Sequence, residues 1–406
     1  MKYLVLLCFL GIVVSQTEDK DVSKEIFVAV IKEYHMNITS TAATLTTTQA
    51  GPVDQSCKRE TGETGVCVPY YLCHSNYSVI TDGTGLIDIR FSGSNCPSYM
   101  DACCLLPHVR EPDNPLTPPP PVQPKGCGQW NPDGIGFKII GGNDGEAQFG
   151  EFPWMCAILE FNIDARYEDT SVGSTGYLGG GSLIHPSVVL TAAHYVAGKT
   201  TLTVRAGEWD TQTTKEIYPH QDRSVEKVFV HKDFNKGNLH NDIAILVLKT
   251  PMDLAPNVGV VCLPPLNDHV AGGTKCFTSG WGANKFGSEG LYQVILKKVN
   301  LPVIEHGKCE VELRKTRLSR FFDLHLSFMC AGGERDLDAC KGDGGSPLVC
   351  PIPGKTNRYL QSGIVSWGIG CGTEGTPGVY VNVSSFRDWI DETVIAEGLD
   401  PKVYTL

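Results

Sequence analysis

Asp338-Ala339-Cys340-Lys341-Gly342-Asp343-Gly344-Gly345-Ser346-Pro347 leads straight into the apolar run Leu348-Val349-Cys350. Glycines on both sides of one carboxylate specify a rigid turn, and the apolar run specifies a buried strand after it. The rest of residues 127–406 has the same texture. Short runs at 187–190, 202–205, 243–248 and 363–367 alternate with Gly, Pro and Asn/Asp turns. That pattern predicts an all-β domain.

The chain has 406 residues, room for two domains and a tail, and a net charge of −11. An acidic balance of that size gives nucleic acid no electrostatic footing. Sixteen cysteines predict an oxidising compartment. Lys2, the apolar run 3–14 and the small residues before Gln16 read as a signal peptide over 1–15. That run is far shorter than the ~20 residues of a membrane span. The expected product is therefore secreted and extracellular, with no membrane span.

The decisive segment resembles the active-site stretch of the chymotrypsin-type serine proteases, Gly-Asp-Ser-Gly-Gly-Pro, and the resemblance covers residues 127–406. It implies two six-stranded antiparallel β-barrels and a C-terminal helix at 386–397. Thr191-Ala192-Ala193-His194 resembles the general-base segment and Asn241-Asp242-Ile243-Ala244 the carboxylate segment. In the active enzymes the histidine takes the serine proton and the aspartate orients the ring. Here Gly344 stands where the nucleophilic serine belongs. His194, Asp242 and Gly344 are thus read as a triad without its hydroxyl, the group that forms the covalent intermediate. Gly342 and Gly344 mark the oxyanion-hole backbone. Ser346, two residues along, points elsewhere unless the turn is rebuilt.

Further site residues follow from the same resemblance. Asp338, with Gly368 and Gly378, marks a specificity slot that is either inherited and solvated or able to hold a basic side chain without cutting it. Lys138, Ile139 and Asp343 match an activation site, in which a freed N-terminal amine pairs with the aspartate. Cleavage between Arg110 and Glu111 is the alternative. The implied bridges are Cys127–Cys262, Cys276–Cys350, Cys309–Cys330 and Cys340–Cys371. The bridge that braces the histidine loop in relatives has Gly179 and Tyr195 at its two positions, and Cys156 is left over, read as a buried inert thiol or the end of an intermolecular bridge. Glu208, Asp210 and Glu216 sit where some relatives bind calcium, the one cofactor considered; their oxygens suit that ion, though acids on a loop are commonly just solvated. Arg314, Lys315, Arg317 and Arg320 form a basic cluster, read as a solvated face or a dock for an acidic partner.

Ahead of this domain, residues 16–56 form a Thr-rich tail, with a weak apolar stripe at 23–35 that is helical or unstructured on equal grounds. Cys57, Cys67, Cys73, Cys96, Cys103 and Cys104 then crowd a piece too small to fold on apolar burial alone. Their spacing resembles the clip domain (57–104), which implies Cys57–Cys103, Cys67–Cys96 and Cys73–Cys104. A Pro-rich linker, 105–126, centres on Pro118-Pro119-Pro120-Pro121 and favours an extended spacer. Asn37, Asn76 and Asn382 begin glycosylation sequons.

The whole chain resembles the clip-domain serine protease homologues of arthropod haemolymph. The resemblance implies a non-catalytic cofactor in prophenoloxidase activation, melanisation and innate immunity. Its expected partners are prophenoloxidase or phenoloxidase and clip-domain activating proteases, with homo- or hetero-oligomers forming after cleavage. An active trypsin-like endopeptidase and a microbial-surface recognition protein are the alternatives.

Overall fold

The computed structural model describes residues 56–58, 62–69, 96, 101–109, 126–135, 145–160, 176–214, 216–283, 292–335, 342–370 and 372–406. The tail stripe, Cys73, Asn37, Asn76, Arg110, Glu111, Lys138, Ile139, Asp338, Cys340 and Cys371 lie outside them.

In the cysteine-rich module, β1 (Ser56–Lys58), β2 (Thr64–Pro69) and β3 (Asp101–Cys104) make an antiparallel sheet in that order. Cys57–Cys103 joins its two outer strands and Cys67–Cys96 anchors the middle one. Cys104 is also disulfide-bonded.

The rest is two closed antiparallel barrels. The first contains β4 (Met155–Glu160), β5 (Tyr177–His185), β6 (Val188–Thr191), β7 (Leu202–Ala206), β8 (Gln221–Val230) and β9 (Ala244–Leu248). Their order around the barrel is β4-β5-β6-β9-β8-β7. The second contains β10 (Lys275–Gly280), β11 (Lys297–Ile304), β12 (Phe328–Gly332), β13 (Pro347–Pro351), β14 (Tyr359–Trp367) and β15 (Pro377–Asn382), ordered β10-β11-β12-β15-β14-β13. Closure leaves neither barrel an unpaired edge. The all-β, double six-stranded architecture is therefore observed.

The barrels meet over a shared apolar core. Trp154, Leu190 and Ile245 of the first pack in one cluster with Val349, Ile364 and Val381 of the second. The seam is also hydrogen-bonded: buried Ser182 donates to Gln361 Oε1 at 2.6 Å. Cys127–Cys262 ties the entering segment to the body, and Cys276–Cys350 and Cys309–Cys330 lie within the second barrel's half.

The C-terminal helix runs Arg387–Ala396. Ile390 and Val394 are buried, and Trp389 packs edge-on to His231 at 5.1 Å, so this face docks the helix on its own domain. Buried Tyr404 donates to Asp391 Oδ1 at 2.8 Å, and Arg387 lies over the Tyr404 ring at 5.2 Å. The helix His306–Arg314 has no counterpart in the sequence reading.

Ile390→Ala should lower stability by about 2–5 kcal/mol, because it opens a cavity at a fully buried site. Ile395→Ala, on the exposed side of the same helix, should stay within about 0.5 kcal/mol. Urea midpoints at constant slope separate the two.

Candidate functional site: a protease cleft filled by tyrosine

Thr191 ends β6, and the chain turns into the short helix Ala193–Val196, which carries His194 to the seam between the barrels. Asp242 reaches the same point just ahead of β9. It is fully buried, and three donors hold it. His194 Nδ1 lies 2.6 Å from Oδ2, the His194 backbone N–H donates to Oδ1 at 2.8 Å, and Ser366 Oγ donates to Oδ2 at 2.6 Å. A buried carboxylate needs this satisfaction to stay charged away from water. The Asn241 backbone N–H, one residue earlier, donates to Ser327 Oγ at 3.2 Å, and its φ of 55° turns the chain so that Asp242 points inward.

The turn 342–346 faces this pair. Gly342 (φ 97°) and Gly345 (φ 85°) occupy the left-handed region that favours glycine. The Gly344 carbonyl accepts from Gly180 N–H at 2.9 Å, which stitches the turn to β5. The space beside Gly344 is filled. A Cβ there would fall onto the Tyr195 ring, 2.8 Å from its hydroxyl oxygen and 2.9 Å from Cζ, well inside contact distance. The same ring lies 4.0 Å from the His194 ring, centroid to centroid. A Cβ at Gly179 would come within 2.5 Å of the Gly344 carbonyl and 3.3 Å of the Tyr195 ring. The two positions that lack a bridge are thus complementary in volume, glycine making the space and tyrosine taking it.

Two more tyrosines complete the plug. Tyr177 donates to the Gly342 carbonyl at 2.9 Å, and Tyr292 meets Tyr177 edge-on at 5.9 Å. A Cβ at Gly342 would lie 2.5 Å from the Tyr292 ring. Burial, with Tyr292, Asp343 and Asp242 nearby, pushes the Tyr195 phenol up to about 12. Burial and Asp343 drive Tyr177 well above the ordinary phenol value. Both are neutral near pH 7, so neither supplies a phenolate nucleophile.

Ser346 is fully buried, and its hydroxyl has no hydrogen-bond partner among the described residues. A side chain at Gly180 would overlap its oxygen and one at Gly280 would come within 3.2 Å of it. It faces the barrel seam and makes no hydrogen bond to His194. Asp343 accepts from Gly282 N–H at 2.9 Å, and a side chain at Gly280 or Gly282 would collide with its carboxylate. Gly368 is exposed just past β14 and Gly378 is buried in β15.

The acidic loop is partly satisfied by the protein itself. The Glu208 carboxylate accepts from Trp209 N–H at 3.0 Å and pairs with Arg205 and His220 at 3.2 Å each. Asp210 Oδ1 accepts from Gln212 N–H, and Glu216 Oε1 accepts from Asp210 N–H. The Arg205 guanidinium thus serves Glu208, one oxygen each of Asp210 and Glu216 is turned to a backbone donor, and buried Asp210 Oδ2 has no partner among the described residues. Among the described residues, the only group of three ligand atoms within 4.8 Å is Cys57, Cys67 and Cys96, whose sulfurs are tied in disulfides. Cys156 is a free, fully buried thiol pushed up to about 12 by that burial. The basic cluster is partly neutralised within its own helix and loop. Arg314 pairs with Glu310 at 2.7 Å and Lys315 with Glu312 at 2.6 Å, while Arg320 stacks over exposed Phe321.

Glu216 generates a pH prediction. Burial first, then nearby Glu208, raises its carboxyl from 4.5 to about 8. A raised carboxyl favours folding while the group is protonated, and that contribution fades as pH rises from about 4.5 through about 8. Glu216→Gln keeps an acceptor for Asp210 N–H and removes the titration. Thermal melts should show equal stability near pH 5 and the variant ahead by about 2 kcal/mol or more at pH 8.

Comparison with known proteins places this geometry in a family. Residues 139–390 match the trypsin family, and residues 54–105 match the family described as serine protease clip domain PPAF-2. Phenoloxidase-activating factor 2 of Galleria mellonella is 63% identical over 302 residues, 74% of this chain and 100% of that protein. Inactive CLIP domain-containing serine protease A3 of Aedes aegypti is 41% identical over 357 residues, 82% of this chain and 68% of its own length. Inactive CLIP domain-containing serine protease A28 of Anopheles gambiae is 38% identical over 354 residues, covering 83% of this chain and 90% of that one. With two closed barrels, a His194 ring paired to buried Asp242 and a clip module ahead of them, the chain belongs to the trypsin family of proteins that carry a clip domain.

Proposed function

We propose that this chain is a non-catalytic, secreted cofactor of prophenoloxidase activation, itself switched by limited proteolysis. The carrying observation is the Tyr195 ring lodged against Gly344, where an attacking hydroxyl would have to stand. In a protease of another fold, removing the serine alone costs about a million-fold in kcat. At ~1.4 kcal/mol per decade that is about 8 kcal/mol of barrier reduction. Neither Ser346, sealed in the seam, nor the neutral Tyr195 replaces it. The names of the relatives agree: one is a phenoloxidase-activating factor and two are called inactive.

A protein without acylation chemistry acts by holding its partners. The clip module would dock the oxidase or the activating protease. Assembly of cleaved chains would raise the effective concentration of one for the other without any new contact between them. Cleavage after Lys138, or after Arg110, is the switch. Cys127–Cys262 would keep the segment from Cys127 to Lys138, and the clip module ahead of it, attached after a cut at Lys138. Asp338 and its slot would hold a basic side chain of a partner without cutting it. Haemolymph is the expected location. Among the described residues no helix is long and apolar enough to cross a membrane.

Reconstitution is the direct test. Activating protease and pro-oxidase, incubated with the pre-cut protein, should give several-fold more oxidase activity than without it, and the intact protein should give less. No gain from the pre-cut form would refute the cofactor role. A second test reads the plug. Gly344→Ser alone should gain no fluorophosphonate label and should lose about 1–3 kcal/mol of stability by overpacking against Tyr195. Adding Tyr195→Ala should return most of that loss, a coupling of at least about 1 kcal/mol. Independent, additive effects would mean the ring does not hold that space.

A further inference from the structure

Away from the His194–Asp242 pair, a groove enclosing about 390 Å³ of water-accessible space opens on the second barrel. That volume falls in the ~300–1,000 Å³ range of small-molecule sites. The ends of β11, β12 and β15 build it, together with the loop 264–270. Its floor is apolar, made by Val303 and Phe328. Ser362 is 3% exposed and forms part of the wall, and its hydroxyl has no partner among the described residues; the same holds for His306 Nε2. Asp268 and Glu305 lie on the polar rim, and Leu326, 78% exposed, forms a lip. An apolar floor with a polar rim suits a pyranose ring, which has a C–H face and a hydroxylated edge.

Asn382 stands in this groove at the head of the sequon Asn382-Val383-Ser384. Its backbone N–H donates to the Ser327 carbonyl at 2.8 Å, which fixes the residue at the strand end. Its Oδ1 accepts from Ser384 Oγ at 2.9 Å. The amide oxygen is therefore engaged, and Nδ2 is the end left for attachment. We propose that Asn382 carries an N-linked glycan whose first sugars lie in this groove, covering Leu326 and closing the apolar floor from water.

Attachment has to precede folding, because Val383 and Ser384 are buried once the barrel closes. Asn382 Nδ2 attacks the anomeric carbon of a lipid pyrophosphate-linked oligosaccharide, forming the C1–N bond. The bond from C1 to the pyrophosphate oxygen breaks, that oxygen keeps the electron pair, and Nδ2 gives up one proton. No oxidant or reductant is involved. The barrel then folds with the sugar in place, and the groove takes it up as an internal ligand.

The test uses the full chain secreted from a eukaryotic host. Glycopeptide mass spectrometry should find Asn382 occupied. Enzymatic amide hydrolysis under native conditions should then release that glycan at least ten-fold more slowly than after denaturation in the same sample. Wild-type protein should also exchange backbone hydrogens at 267–270 and 326–329 more slowly than Asn382→Gln. An unmodified Asn382, native release as fast as denatured release, or identical exchange in the two proteins overturns the proposal. The release measurement needs no variant, so a poorly folding Asn382→Gln leaves the question decidable.

Discussion

One volume beside His194 can hold either a side chain at position 344 or the ring at position 195, and in this protein the ring holds it. Protein interiors are packed at close to crystal density, so two groups cannot share such a space without displacing backbone. Three residues depend on that choice. Gly344 has no side chain, Gly179 has none, and Tyr195 has a large one. Gly344 and Gly179 both abut the same ring, and the Gly344 carbonyl still bonds Gly180 across the seam. The turn is therefore docked on β5 across the seam, with the ring beside it.

The His194–Asp242 pair persists inside this rearranged cleft for a reason that needs no catalysis. Asp242 is fully buried and receives the His194 backbone N–H and the Ser366 hydroxyl, with the His194 ring on the same oxygen as Ser366. Removing one partner of such a group leaves a charge without solvent, at a cost of about 3–5 kcal/mol. The pair also joins the barrels, since Ser366 belongs to the second and Asp242 to the first. Chemistry can be lost at position 344 by deleting one hydroxymethyl group. Losing Asp242 would strain the seam.

This asymmetry explains what was legible in the sequence. The strands at 202–205 and 243–248 were readable because apolar runs broken by turn residues have few other solutions. The structure starts or ends them a residue or so differently, at Leu202–Ala206 and Ala244–Leu248. Gly179 and Tyr195 stood out only as a missing bridge, because which way a ring points is a tertiary fact that no local pattern carries. Tyr177 and Tyr292 gave no signal for the same reason. The acids at 208, 210 and 216 suggested a cation, and Arg205 pairs with the first of them, which spacing alone does not reveal. The helix His306–Arg314 escaped because it has no side-chain cap and buries only Cys309 and Leu313, too thin a stripe to read.

An active-site motif of this kind is mostly a packing motif. Gly342 and Gly345 need glycine for their positive φ, and Gly280 and Gly282 need it because the Asp343 carboxylate presses against them. Ser346 fits because its hydroxyl lies against Gly180 and Gly280, where a larger group would not. Each of these constraints comes from packing around the turn and would hold with or without substrate turnover. Position 344 is packed as well, against the Tyr195 ring. A chain can therefore match the trypsin family over residues 139–390 and still fill the cleft differently, and the residue that reports the difference structurally is the tyrosine lodged in that space.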